Sequence, residues 1–90
     1  MRRLTISDFK REILSLHGAH ARIVSGESAI VRGAGETLQE VLVLIFELLD
    51  HPTARRCYAW EVDGRAMSVL HTPSVDSPQA ALRSALEAES

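Results

Sequence analysis

The sequence predicts an α+β fold, and three observations carry that expectation. Two segments open with helix-capping patterns and continue with apolar residues at helical spacing. An Asp-Gly pair, Asp63-Gly64, stands between two alternating runs, as in a tight hairpin. The order of elements then reads helix, hairpin, helix, hairpin, helix. This αββαββα pattern packs most simply as two layers, a four-stranded antiparallel sheet of two hairpins with helices mainly on one face.

Taken in order, Thr5-Ile6-Ser7-Asp8 reads as a capping box, in which the Thr hydroxyl and the Asp carboxylate satisfy free backbone N–H groups. Ile6, Phe9, Ile13 and Leu16 follow at helical spacing, and Gly18 is a natural stop, so a helix is expected over 6–17. Residues 19–32 hold two short alternating runs on either side of Ser25-Gly26-Glu27 and predict a first hairpin. Thr37-Leu38-Gln39-Glu40 is a second capping box and predicts a helix over 37–50. That segment is apolar nearly all round, a pattern shared with a buried strand through Val41–Phe46. His51-Pro52 ends it. A second hairpin is expected over 55–72, turned at Asp63-Gly64 in a type I′ geometry. Ser77-Pro78 opens a last helix, 78–88, with Leu82 and Leu86 pointing inward.

Ninety residues make a single domain, 1–90. The apolar share of 46% and charged share of 24% belong to a folded chain with a core. A net charge of −2 argues against a dedicated duplex-DNA binder, whose footprint is basic. Nine of the ten basic residues are Arg, which suits planar pairing with carboxylates and phosphates but also follows from composition bias alone. The one cysteine, Cys57, allows no internal disulfide. Met1-Arg2-Arg3 precedes no long apolar run, so no signal peptide is expected, and no apolar stretch is long enough to span a membrane. The expected setting is cytoplasmic.

No segment carries a specific catalytic, cofactor or metal motif, and no catalytic residue, cofactor or metal ligand is assigned. Gly33-Ala34-Gly35 lies between elements as a phosphate loop would, but Leu38 stands where the third glycine of a dinucleotide fingerprint belongs. Glu36 and Glu40 would oppose an anion there. His17, His20, His51 and His71 have no metal-ligand spacing. In the register that a two-residue turn imposes, Cys57 faces Leu70 while His71 faces Arg56, so thiol and imidazole lie on opposite sides of the sheet.

The second hairpin is the most informative segment. One face carries Arg56, Tyr58, Trp60, Val62, Met67, Val69 and His71, and the other the smaller Cys57, Ala59, Ala66 and Ser68 with Glu61 and Leu70. The bulky face is expected to be the core and the small face to meet solvent. Were the bulky face exposed, Arg56, Tyr58, Trp60, Met67 and His71 would resemble a platform for single-stranded nucleic acid or an anchor for a protein. The over-apolar segment 38–49 suggests more surface than one sheet covers, with Leu44, Phe46 and Leu48 as a dimer helix. The leading expectation is a non-catalytic protein-interaction module, a homodimer. The alternatives are a single-stranded nucleic-acid binder, and a small ligand-binding or enzymatic domain with its cleft at Gly33–Gly35.

Overall fold

The computed structural model describes residues 4–32 and 38–89. The elements are α1 (Ile6–His17), β1 (Ala21–Arg32), β2 (Leu38–Leu48), β3 (Arg56–Val62), β4 (Arg65–Leu70) and α2 (Pro78–Glu89). The class is α+β, and the four strands form one antiparallel sheet in the order β1-β2-β3-β4.

The ends of α1 follow from the residues that predict them. Thr5 Oγ1 accepts from the Asp8 backbone N–H at 3.2 Å, and Asp8 Oδ2 accepts from the Thr5 N–H at 2.8 Å. Gly18 closes the helix in the left-handed region at φ 69°, donating to the Leu14 carbonyl at 2.9 Å. In α2, Ser77 Oγ accepts from the Ala80 N–H at 3.1 Å, the N-cap bond expected of Ser before Pro. The β3–β4 turn also holds: Asp63 and Gly64 have φ of 50° and 78°, and Val62 pairs with Arg65. Two positive φ values are the signature of a type I′ turn.

Two expectations are corrected. Segment 37–50 is not a helix; Leu38–Leu48 is β2, one of the two central strands. Val43 and Ile45 are buried on one face of the sheet and Phe46 and Leu48 on the other, a pattern that periodicity cannot separate from a buried helix. Glu40 of the supposed capping box is a strand residue, while Thr37 and the Gly33–Gly35 turn lie outside the described residues. Nor is 19–32 a hairpin. It is one strand, β1, with a bulge between Ile23 and Ser25. Gly26 does not turn the chain, since its φ is not positive. A Cβ there would lie 3.4 Å from the side chains of both Leu42 and Leu44, in ordinary contact with the leucines of β2.

Alternation along the strands builds two apolar clusters. Phe9 and Ile13 of α1 pack with Ala21, Phe46, Leu48, Cys57 and Ala59. Ala81 and Leu82 of α2 pack with Ala29, Val43, Ile45, Tyr58 and Trp60. Phe46 pairs with Cys57 and Ile45 with Tyr58, so the two sets occupy opposite faces of the sheet. Each helix therefore covers its own face, in place of the expected helices mainly on one. The small residues Cys57 and Ala59 do not meet solvent; they let α1 come close.

Candidate interaction surfaces

Tyr58 and Trp60 share a face, as strand alternation requires, but both are only 3% exposed. Val75 and the α2 residues Ala81 and Leu82 close over them, with Met67 partly buried in the same cluster. No aromatic is left to stack on a base. Arg56 is exposed and His71 half-buried at the open end of this face. The Tyr58 hydroxyl lies 2.8 Å from His71 Nδ1. Burial pushes the Tyr58 hydroxyl pKa up, so the group stays protonated.

The proposed dimer residues are core. Phe46 and Leu48 are buried under α1, with the Phe9 and Phe46 rings 6.5 Å apart and tilted, and Leu44 is partly buried against the same cluster. Cys57 faces Leu70, as the hairpin register predicts. It is buried, and desolvation pushes its thiol up to about 12. A protonated, enclosed thiol is a small hydrophobe and not a nucleophile. His17 Nε2 lies 2.9 Å from Ser68 Oγ and ties the end of α1 to β4. Its pKa is lowered, first by burial and then by His51. Among the described residues, no three His, Cys, Asp or Glu side chains gather as a metal centre would need. No helix is long and apolar enough to cross a membrane.

Among the described residues three open surfaces stand out, and backbone geometry defines the first two. Leu48 N–H donates to the Arg55 carbonyl at 2.8 Å, which marks these two as a hydrogen-bonded antiparallel pair. Counting by twos, the main-chain groups of Phe46 and Leu44 also face β3, as do those of Leu42, Glu40 and Leu38. Yet β3 pairs with β2 only across Leu44–Glu47. Beyond Leu44 the β1–β2 ribbon parts from β3, which runs on to Val62 paired with β4 alone, so that among the described residues one side of β2 is left without a strand partner. On that ribbon Ile30, Leu38 and Leu42 are 53%, 63% and 60% exposed, all on the α1 side of the sheet. Beside them, Leu4, Phe9 and Leu44 line an apolar hollow of about 380 Å³ with Glu40 and Glu61 at its mouth.

The second surface is the β4 edge. The His71 N–H donates to the Arg56 carbonyl at 2.9 Å, so Ala66, Ser68 and Leu70 direct their main-chain groups outward. A groove of about 580 Å³ runs between this edge and α1, lined by Leu16 and by the charged Asp8, Arg11, Glu12 and Arg65. The opposite edge is blunted. The Gln79 side chain of α2 accepts from the Ile30 N–H at 3.0 Å and donates to the Ile30 carbonyl, as a neighbouring strand would. The third surface is a notch of about 430 Å³ lined by Thr53, Arg55, Arg56, His71 and Thr72.

No protein-family model, curated protein or solved structure matches this chain.

Proposed function

We propose that the protein is a non-catalytic interaction module that pairs with a second copy of itself through the uncovered side of the β1–β2 ribbon. The observation that carries this reading is the coincidence of two needs at one place. Ile30, Leu38 and Leu42 are large apolar side chains more than half exposed, and the strand bearing Leu38 and Leu42 has main-chain donors and acceptors that β3 does not reach. An added strand answers both, through backbone hydrogen bonds and through apolar cover on one face. A second copy is the occupant favoured by symmetry, because its own ribbon has the same deficit and an isologous contact answers both at once. Burying the exposed half of each of these side chains contributes about 1 kcal/mol, on top of the strand pairing.

Light scattering from micromolar to submillimolar concentration tests the reading. The expected mass is that of a dimer, and the double substitution Leu38→Asp, Leu42→Asp is expected to give a monomer with an unchanged circular dichroism spectrum. A monomer mass at submillimolar concentration, or a dimer indifferent to the double substitution, would overturn it. Tyr58 and Trp60 lie under α2 and lend no support to a single-stranded nucleic-acid platform.

A further inference from the structure

The backbone of β2 restricts how a second copy can pair with it. Leu48 N–H donates to the Arg55 carbonyl at 2.8 Å, so every second residue counted from Leu48 turns its main-chain groups toward the β3 side. Leu44 is the last of these that β3 takes, paired with Ala59, and beyond Ala59 β3 pairs with β4 alone. The strand opens at Leu38. Among the described residues, the groups left facing outward without a strand partner are therefore those of Leu42, Glu40 and Leu38.

A two-fold axis fixes the rest. In an antiparallel pair of identical strands, opposed residue numbers add to a constant, and hydrogen-bonded pairs join outward groups to outward groups. One constant pairs all three residues. Leu38 then opposes Leu42 of the second copy, Glu40 opposes Glu40 of the second copy, and Leu42 opposes Leu38 of the second copy. A slide toward β3 sets the incoming strand against Leu44, whose main chain already pairs with Ala59. A slide the other way leaves Leu42 opposite none of the three.

These residues share one face. Phe46 and Leu44 pack on the α1 side, and alternation puts Leu42, Glu40 and Leu38 there as well. Leu38 and Leu42 are both exposed, and each gains an apolar neighbour across the seam. Leu42 also borders the hollow that Leu4, Phe9 and Leu44 complete, so Leu38 of the second copy arrives at its rim. Glu40 gains a like charge instead. It is exposed, and the residue opposite it in β1 is Ile30. The other carboxylate at the hollow, Glu61, accepts from the Leu4 N–H at 3.1 Å. On the two-fold axis Glu40 meets its own copy, and Cβ atoms in such a directly opposed pair lie about 5 Å apart.

We propose that two copies pair antiparallel about Glu40, with the leucines holding the seam and the opposed carboxylates limiting its strength. Glu40 is then the residue that sets affinity and partner preference at the interface. The register rests on self-pairing through the ribbon, and the test separates the two.

The wild-type chain is mixed with an isotope-labelled Glu40→Lys variant, and homodimers and heterodimers are counted by native mass spectrometry. A cation faces an anion in the mixed pair, whereas both like pairs repel. Heterodimers are expected to exceed the statistical half of all dimers. Separately, Glu40→Gln is expected to dimerise about two- to fivefold more tightly than the wild type in sedimentation experiments. Dimers that mix statistically, or a Glu40→Gln dimer no tighter than the wild type, would overturn the register and leave self-pairing intact. Monomers in every sample would overturn both.

Discussion

Cys57 is the residue through which both faces of the hairpin are read. It sits on the side covered by α1, with no exposure, and desolvation keeps its thiol protonated with a pKa near 12. In the native protein at pH 8 it should therefore resist alkylation by iodoacetamide, and in denaturant it should react at the rate of a free thiol. Fast labelling without denaturant would mean that α1 does not stay seated. His17 makes a second prediction at this scale. Its folded-state pKa lies below 6.5, so the unfolded chain binds the proton more readily. Stability is then full above pH 6.5 and falls as the pH drops from there toward the lowered folded value. The urea midpoint should decrease between pH 7.5 and 5.5. His17→Gln, which keeps a hydrogen-bonding partner for Ser68, should flatten that part of the profile.

At the scale of elements, the legible parts are those fixed by local chemistry. Thr5 to Asp8, Ser77-Pro78 and Asp63-Gly64 each specify their own backbone, and each forms what its residues imply. Gly64→Ala should destabilise the fold by about 1–2 kcal/mol, because φ is 78° while no atom lies within 4 Å of the added Cβ; the cost is one of backbone strain alone. Thermal and urea unfolding check this. The illegible parts are those fixed by tertiary contact. Val41–Phe46 has no polar face to betray a period of two, because Val43 and Ile45 pack towards α2 and Phe46 towards α1, while the exposed position on that second face is another leucine, Leu42. Gly26 resembles a turn residue, yet it lies within β1 and pairs with Leu44, eighteen positions away. The candidate site divides in the same way. The shared face and register of Tyr58, Trp60 and His71 follow from the turn. The cover over the aromatics comes from α2, and the openness of Leu38 and Leu42 from where β3 stops pairing.

For the whole molecule, the sheet presents unequal borders. The Arg65–Leu70 edge is six residues long and runs beside charged side chains of α1. The ribbon bears apolar residues on one face and uncovered backbone on one side of β2. The long outer edge of β1 is interrupted by a bulge and, at Ile30, by the carboxamide of Gln79. A bulge and a covering side chain are two of the ways by which sheets avoid unwanted pairing. If pairing through the ribbon makes a closed pair, Gln79 determines that growth stops there. Gln79→Ala frees the Ile30 main chain and gives each protomer a sticky border on the far side of the sheet, besides the ribbon and without the charged side chains that flank the β4 edge. A particle with two such borders polymerises instead of closing on itself. The variant should unfold at nearly the wild-type temperature when dilute, yet scatter increasingly with time and bind thioflavin T when concentrated. Stable, non-scattering solutions of it would show that the bulge suffices. On this account one carboxamide sets the difference between an object of finite size and a filament.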